Sequence, residues 1–399
     1  MTTVVIAGAG MHPWGKWGRN FVEYGLHAAR EALDDAGLDW TDVDYVVGGD
    51  TVRNGYPGYV AGATFAQALG WTGARIASCY AACATGAMAI DLARTRIMAG
   101  LCEVAMVIGA DTTPKGFLAP SAGERTDDPD WLRFRLLGAT NPTYFAFYAR
   151  RRMELFGATP LDFAKVKAKN SRAGATNPNA RYRKEFSEQD VLDSPYVSEP
   201  LHLLDICATS DGGAALVLTS KDFAARHGIA DPVTVAAVST VTPTYPNTVI
   251  EMPNFATDAW NAVAPAGRPF RDDIGWTSYE QAGLGPQDME VAEVYDLSSA
   301  LELDWYENLG FCAEGEAEKL LAEGATTIRG TLPVNPSGGV GCFGEAVPAQ
   351  ALAQVCEVAW QLQGRAGDRQ VEHDGRPPRA GITANQGLFG HGSSVILTR

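Results

Sequence analysis

One sequence pattern occurs twice in this 399-residue chain with the same internal spacing, at residues 35–44 (DAGLDWTDVD) and at residues 281–290 (QAGLGPQDME). In both copies an amphipathic helix ends at a glycine, Gly37 or Gly283, and an apolar strand follows. A β-branched strand lies upstream of each helix, 3–6 (TVVI) in the first copy and 233–236 (VTVA) in the second. The repeated order of strand, helix and strand predicts an α/β fold built from two duplicated halves with parallel strands.

The segment between the two halves has a different character. Over residues 112–200 the strand patterns give way to aromatic and arginine-rich helical stretches, such as 144–152 (YFAFYARRR), mixed with proline and asparagine turns. An insertion at the carboxyl ends of parallel strands is where an α/β scaffold builds a cover over its substrate. We therefore expect an N-terminal half formed by residues 1–111 and 201–230, an inserted loop and cover domain at 112–200, and a C-terminal half at 231–399.

The overall composition disfavours several classes of function. A formal net charge of −15 and a pI near 4.9 speak against binding to nucleic acid or to an anionic membrane surface. The amino-terminal residues lack the features of an export signal and no stretch has the length of a membrane span, so we expect a cytoplasmic protein without membrane insertion. Seven cysteines without a CxxC pair and six dispersed histidines predict reduced thiols and no metal site.

The most informative local segment is 77–90 (ASCYAACATGAMAI), in which small residues surround Cys83 and a helix begins directly after it. A thiol at a helix N-terminus lies at the positive end of the helix dipole, which favours the thiolate and supplies backbone N–H groups for a developing oxyanion. Most isolated cysteines are instead packed structural residues. The segment alone leaves both interpretations open.

Five segments together resemble the thiolase family, in its sterol-carrier and lipid-transfer type. Residues 83–89 (CATGAMA) are similar to the nucleophile motif, and four further segments follow in the order of the family: 200–215 (PLHLLDICATSDGGAA), 288–296 (DMEVAEVYD), 335–339 (NPSGG) and 385–392 (NQGLFGHG). The resemblance extends over the whole chain and agrees with its internal duplication. It implies the thiolase fold, with layers in the order α-β-α-β-α.

The positions that differ from the family pattern affect the chemistry. Tyr295-Asp296-Leu297-Ser298 stands where such enzymes have Asn-Glu-Ala-Phe or His-Asp-Cys-Phe, and Gly344-Glu345-Ala346 stands where they have Gly-His-Pro. Gln386-Gly387-Leu388 replaces the C-terminal Cys-Gly-Gly. Cys83 therefore lacks its usual histidine base, and we expect acyl transfer to be slow.

These replacements resemble those of the thiolase-like aldolases of steroid side-chain degradation. The resemblance implies retro-aldol cleavage of a β-hydroxyacyl-CoA, giving a steroid ketone or aldehyde and a shortened acyl-CoA such as propionyl-CoA. It also implies a small OB-fold partner protein and no cofactor beyond the CoA of the substrate. We further expect a homodimer, because a subunit of this fold exposes a sheet edge beside the nucleophile helix.

The candidate catalytic residues are Tyr295, Glu345 and Cys83, and the backbone N–H groups of Cys83 and Gly387 are expected to stabilise a thioester enolate. Tyr295 is expected to contact the hydroxyl of the substrate, although burial would raise the pKa of both proton carriers and so favours Glu345 as the base. We also assign His391 and Phe343 to the substrate pocket. For each of these residues, an ordinary structural role is the alternative.

Three hypotheses about function remain after this reasoning. The first is the aldolase, the second is a true acyl-CoA thiolase that uses Cys83, and the third is a thiolase-like subunit that binds acyl-CoA without catalysis. The arginine run 150–152 is expected to form a solvated helix face, with contact to the phosphates of CoA as the alternative.

Overall fold

The structure is a computed structural model that describes residues 2–51, 60–114, 141–244, 268–387 and 390–399. Its strands are β1 (Val4–Gly15), β2 (Tyr45–Gly49), β3 (Arg75–Cys79), β4 (Val104–Thr112), β5 (Tyr196–Ser198), β6 (Leu201–His202), β7 (Asp211–Ser220), β8 (Val233–Val241), β9 (Val291–Val294), β10 (Ala380–Gly387) and β11 (His391–Thr398). Its α-helices are α1 (Phe21–Ala36), α2 (Ala61–Leu69), α3 (Thr85–Met98), α4 (Asn141–Phe156), α5 (Pro160–Thr176), α6 (Glu188–Leu192), α7 (Lys221–Arg226), α8 (Phe270–Ala282), α9 (Ser299–Asn308), α10 (Ala317–Ala322), α11 (Gly339–Phe343) and α12 (Gln350–Gln363).

Nine of these strands form one sheet in the order β3-β2-β4-β7-β1-β8-β11-β10-β9. The two half-sheets meet where β1 and β8 pair through two residues each. Within the first half the strands are arranged β1-β7-β4-β2, and within the second they are arranged β8-β11-β10-β9, with the same alternation of antiparallel and parallel neighbours. The arrangement confirms the duplicated α/β fold that the sequence predicts.

The strands of each predicted strand-helix-strand unit run parallel, but they are not hydrogen-bonded neighbours. Strands β7 and β4 lie between β1 and β2, and β11 and β10 lie between β8 and β9. Both unit helices end at a left-handed glycine, Gly37 with φ 65° and Gly283 with φ 67°. The next residue then donates its N–H back into the last turn, at 3.1 Å in each copy. The repeated sequence pattern therefore encodes the same helix end twice.

Three hydrophobic clusters separate the layers. Helices α3 and α12 lie between the half-sheets and contact strands of both. Helices α1 and α2 cover the outer face of the first half-sheet, and α8 and α9 cover the second. The order of layers is the α-β-α-β-α order expected from the thiolase resemblance.

The predicted inserted domain contains α4, α5, α6 and the hairpin of β5 and β6 in its described part, while residues 115–140 lie outside the described residues. The structure does not test the predicted domain boundaries. No helix of the described ranges is both long enough and apolar enough to serve as a membrane span.

The arginine run on α4 is solvated only in part. Arg150 and Arg151 have partly exposed side chains and pair with Glu199 and Glu314. The side chain of Arg152, in contrast, is fully buried. It forms ion pairs of 2.7–2.8 Å with three carboxylates, those of Asp304, Glu307 and Glu318.

The expectation of a solvated face is thus wrong for Arg152, which cannot meet the phosphates of CoA. A buried guanidinium requires charged partners, and acidic residues distant in sequence supply them.

Candidate active site

A tight turn carries Cys83 from the end of β3 into helix α3. Ala82 adopts φ 49°, in the left-handed region that a residue with a side chain rarely occupies. The hydroxyl of Thr85 stabilises this turn, because it accepts the N–H of Ala81 at 2.9 Å and donates to the carbonyl of Ala82 at 2.5 Å. Cys83 therefore lies two residues before the first turn of α3, as the sequence predicts, and its side chain is buried.

Three side chains from distant parts of the sequence meet at this turn. The Sγ atom of Cys83 is 3.1 Å from Oε1 of Glu345, and the hydroxyl of Tyr295 donates a 2.8 Å hydrogen bond to the same oxygen. All three side chains are at least 96% buried. The structure thus brings together the three residues that the sequence nominated as catalytic.

Cys83 has no histidine beside its thiol, and a carboxylate stands there instead. Glu345 occupies the position of the histidine in the Gly-His-Pro motif of the resembling family, and its carboxylate reaches the thiol. A carboxylate can accept the proton of a thiol, but its negative charge also disfavours a standing thiolate. Cys83 therefore has a proton acceptor beside it without the electrostatic activation that an imidazolium provides.

Glu345 is held by an extended backbone contact rather than by a helix. Its N–H donates to the carbonyl of Ala208 at 2.6 Å, and its carbonyl accepts the N–H of Ser210 at 2.9 Å. These two hydrogen bonds join the loops 208–210 and 344–345. The preceding Gly344 has φ 77°, and a Cβ atom there would lie 2.4 Å from Oγ of Ser210. Only glycine fits this close approach, so Gly344 fixes the direction in which Glu345 points.

Tyr295 follows β9 directly and is packed beneath α9. Its carbonyl accepts the indole N–H of Trp305 at 3.1 Å. Burial, together with the nearby Cys83 and Glu345, raises the pKa of Tyr295 well above its ordinary value. The phenol therefore stays protonated near neutral pH and acts as a hydrogen-bond donor in the resting protein.

The three residues nominated for oxyanion or substrate binding, Gly387, His391 and Phe343, do not all lie beside Cys83. A Cβ atom on Gly387 would lie 3.4 Å from the N atom of Cys83, so the two backbones approach closely, as expected for a shared oxyanion site. His391 pairs with Gly387 in the β10–β11 register and is half-buried. The ring of Phe343 packs edge-on against Trp14, at 5.4 Å, in the central hydrophobic cluster rather than in the cluster that contains Cys83. Its assignment to the substrate pocket stays a prediction.

A narrow crevice adjoins Tyr295. Its walls are mostly aromatic and aliphatic, formed by Tyr144, Phe145, Tyr148, Leu297, Leu301 and Trp305, with Arg271 and Gln386 as the polar members. The guanidinium of Arg271 lies 4.0 Å over the ring of Tyr148 and donates to Oε1 of Gln386 at 3.0 Å. A wider and more polar cleft shares Tyr148 and Arg271 with the crevice. The reacting groups are thus adjacent to a space with a largely apolar lining.

Sequence reasoning missed two residues near this centre. Cys207 is buried in the same cluster as Cys83 and Tyr295, and burial together with Glu345 raises the pKa of its thiol. Asp296 follows Tyr295 directly, and burial with Glu302 nearby raises the pKa of its carboxyl to about 7. Both lie in segments that resemble motifs of the thiolase family. Their location in those motifs could have identified them from the sequence.

The arrangement can move a proton among a phenol, a carboxylate and a thiol, because the carboxylate lies within hydrogen-bond distance of both other groups. In the described ranges, no three His, Cys, Asp or Glu side chains are grouped as metal ligands would be. The absence of a metal and of a further cofactor stays a prediction.

Comparison with known proteins assigns the family. The family model for the thiolase N-terminal domain matches residues 4–222, and the thiolase C-terminal domain-like model matches residues 270–399. Sterol carrier protein 2 of Gallus gallus is 33% identical over 99% of this chain and 71% of its own length. Benzoylsuccinyl-CoA thiolase subunit BbsB of Thauera aromatica is 31% identical over 92% of this chain and 91% of its own.

Among solved structures, the Ltp2-ChsH2(DUF35) aldolase superposes with a TM-score of 0.82 at 28% identity, covering 99% of this chain and 97% of that one. Human mitochondrial 3-ketoacyl-CoA thiolase superposes with a TM-score of 0.72 at 14% identity, which supports the fold alone. Proteins similar to this chain thus include both an aldolase and a thiolase. Because the two family models match residues 4–222 and 270–399, the chain belongs to the thiolase superfamily of enzymes, and its similarity to sterol carrier protein 2 assigns it to that type.

Proposed function

We propose that this protein cleaves a β-hydroxyacyl-CoA thioester by a retro-aldol reaction, giving a ketone or aldehyde and a shortened acyl-CoA. The observation that carries the proposal is the 2.8 Å hydrogen bond from the hydroxyl of Tyr295 to Glu345 beside Cys83. A retro-aldol reaction needs a base at the β-hydroxyl and an acid at the α-carbon, and it needs no covalent nucleophile. Tyr295 and Glu345 supply both functions from groups already in contact.

The proton pathway follows from the protonation of the resting site. Tyr295 accepts the proton of the β-hydroxyl while its own phenolic proton passes to Oε1 of Glu345, so that no phenolate accumulates. The bond between the α- and β-carbons breaks, and its electron pair forms the thioester enolate. The protonated Glu345 then delivers the proton to the α-carbon. The proton lost by the hydroxyl is thus the one gained by the shortened acyl-CoA, and the site returns to its starting state.

The enolate oxygen requires hydrogen-bond donors. Backbone N–H groups at Cys83 and Gly387 belong to segments in close contact, and Cys83 lies next to the N-terminus of the 14-residue helix α3. Such preorganised donors stabilise an enolate oxygen as well as a tetrahedral adduct. Conversion of a thiolase site to an aldolase site would therefore leave the oxyanion donors unchanged and replace only the proton carriers.

The substrate class is proposed from the crevice and from one relative. Aromatic and aliphatic walls beside Tyr295 suit an apolar acyl group, of which a steroid side chain is the example implied by the aldolase resemblance. The similarity to the Ltp2-ChsH2(DUF35) aldolase supports aldol cleavage and supports a DUF35 protein as partner. The OB-fold partner expected from the sequence would take this role.

The direct experiment incubates the purified protein with a β-hydroxyacyl-CoA of a steroid acid, with and without the protein encoded beside it in the genome. We expect equal amounts of ketone or aldehyde and shortened acyl-CoA. Binding of the thioester without any cleavage, in both arms, would favour the non-catalytic acyl-CoA-binding subunit. A requirement for the partner would establish the heteromeric complex.

A true thiolase is the second candidate, favoured by the 3.1 Å contact between Cys83 and Glu345. The aldolase proposal predicts that Cys83→Ala keeps its activity within about tenfold, because the side chain loses one hydrogen bond of about 1 kcal/mol and no covalent role. Turnover of the folded variant and the intact mass of wild-type protein mixed with substrate are the measurements. Loss of all turnover, or an acyl group trapped on Cys83, would support the thiolase instead.

The homodimer is proposed from the edge of the sheet. Strand β3 is the outermost strand of its half, and the side chains of Ile76 and Trp71 are 45% and 66% exposed. An apolar edge strand of this kind invites pairing with a second copy. We expect the mass of a dimer by light scattering at micromolar concentration, and a shift toward the monomer for Ile76→Glu. A wild-type monomer at that concentration would contradict the proposal.

A further inference from the structure

The residue that follows Tyr295 binds the segment that carries Glu345. The side chain of Asp296 is buried, with 4% of its surface exposed. Its Oδ1 accepts the N–H of Val340 at 2.6 Å, and its Oδ2 accepts the N–H of Gly341 at 3.2 Å. A single carboxylate therefore joins the Tyr295 loop to a backbone segment more than forty residues away.

These two N–H groups belong to the first turn of helix α11 (Gly339–Phe343). The first N–H groups of a helix have no partner within the helix, and a side-chain oxygen that accepts them acts as an N-terminal cap. Here the cap comes from a different loop instead of the residue before the helix. Helix α11 ends at Phe343 and is capped by Gly344, and the next residue is Glu345. The position of Asp296 thus fixes where α11 begins, and α11 leads directly into the extended backbone contact that holds Glu345.

The fit between the two segments is close. Gly339 has φ 65°, and a Cβ atom on it would lie 2.5 Å from Oδ2 of Asp296. Lys167 holds the same turn from its other side, because its Nζ donates to the carbonyl of Gly341 at 2.6 Å. The helix turn is therefore fixed at both its N–H and its carbonyl groups, and there is little room for it to shift.

Asp296 is itself oriented by a buried polar network. The amide of Asn170 donates to Oδ2 of Asp296 at 3.0 Å and to Oε2 of Glu302 at 2.6 Å. Glu302 also accepts from Lys169 at 2.5 Å and from Asn335 at 2.7 Å. Movement of Asp296 would break its hydrogen bond to Asn170, which in turn is bonded to the buried Glu302.

We propose that Asp296 is a positioning residue that holds Tyr295 and Glu345 at hydrogen-bond distance through its cap on helix α11. Asp296 does not touch the reacting groups itself. The expected effect of Asp296 on turnover rests on the proposed function. The expected effect of Asp296 on the geometry around Cys83 does not depend on the reaction. The two can therefore be tested apart.

The first test is the kinetics of Asp296→Asn. The amide keeps the size of the side chain but offers one acceptor oxygen for two N–H groups. Displacements of about 1 Å at a reacting group cost up to about 10²-fold in rate, so we expect kcat to fall roughly 10- to 100-fold. We expect KM to stay within about threefold, because Asp296 does not contact the substrate in the proposed site. The matched control is Asp44→Asn.

Asp44 is a suitable control because it also accepts two backbone N–H groups, those of Glu103 and Val104 at 2.9 and 3.2 Å. It precedes β2, at the opposite ends of the parallel strands from the Cys83 turn. Asp44→Asn should therefore keep the wild-type kcat and KM.

The second test needs no substrate. The rate at which iodoacetamide alkylates Cys83 is followed by peptide mass spectrometry over a range of pH, because this rate depends on the carboxylate 3.1 Å from the thiol. Asp296→Asn should change the alkylation rate in the same direction as Glu345→Gln. At one pH or more the rate should change by at least about threefold, which corresponds to about 0.65 kcal/mol of activation free energy. Asp44→Asn should leave the profile unchanged.

The outcomes separate the two claims. A changed alkylation profile in Asp296→Asn together with full activity in Tyr295→Phe would support the positioning role and contradict the proposed function. Wild-type kcat and alkylation in folded Asp296→Asn would overturn the positioning role. If Asp296→Asn fails to fold, Asn170→Ser removes the donor that orients Asp296, and a folded Asn170→Ser protein with wild-type values in both tests would overturn the inference in the same way.

Discussion

Tyr295→Phe should lower kcat for cleavage of a β-hydroxyacyl-CoA by about 10²–10⁴-fold, the usual contribution of general acid–base catalysis. The substitution removes the hydroxyl that donates to Glu345 at 2.8 Å and keeps the buried ring. Because the apolar volume is retained, the melting temperature should change by no more than about 3 °C in a protein of this size. KM should change little, since the hydroxyl acts on the reacting bond.

A buried tyrosine away from the site provides the control. Tyr279 is 1% exposed, and its hydroxyl donates to the carbonyl of Leu309 at 3.1 Å. Tyr279→Phe should cost stability comparable to Tyr295→Phe and leave kcat unchanged. Cleavage by Tyr295→Phe within about threefold of wild type, far below the general acid–base range, would show that the proposed site is wrong.

Glu345→Gln should give a loss of the same order, because the amide cannot hold the proton that the relay places on Oε1. The pKa of Tyr295 is raised well above its ordinary value, so an alkaline fall caused by ionisation of the phenol is not expected below about pH 10. The pH profile of kcat on the alkaline side tests this expectation.

The double variant tests whether the two residues move one proton. If each single change costs roughly 10³-fold, the pair should cost far less than roughly 10⁶-fold, since residues that act as a unit are not additive. Glu357→Gln is the control, because Glu357 is 1% exposed and paired with Arg369 at 2.9 Å. It should lower stability and leave kcat per folded molecule unchanged. Independent costs for Tyr295 and Glu345 would exclude the relay.

Local sequence signals were sufficient for much of the fold. The helix ends at Gly37 and Gly283 are set by residues within one turn, and the same ten-residue pattern encodes both. The turn at Cys83 is likewise local, because Thr85 supplies its hydrogen bonds. These features depend on neighbours in sequence, which periodicity and capping rules describe directly.

Other features depend on residues that the fold brings together, and no local pattern encodes them. Arg152 is adjacent to two exposed arginines in sequence, and only the approach of α9 and α10 makes it the buried centre of three ion pairs. The contact of Glu345 with Cys83 joins residues 262 positions apart. The resemblance placed both residues at the site, but the distance between them and the cap by Asp296 required the structure.

The central claim is that this site breaks a carbon–carbon bond by proton transfer rather than by thiolysis. The most direct measurement compares a β-hydroxyacyl-CoA with the matching 3-ketoacyl-CoA, each with and without free CoA, by quantifying the shortened acyl-CoA. We predict cleavage of the hydroxy ester at a rate independent of free CoA, with one carbonyl product for each acyl-CoA released, and no cleavage of the keto ester. Cleavage of the keto ester that requires free CoA, with the hydroxy ester left intact, would contradict the account.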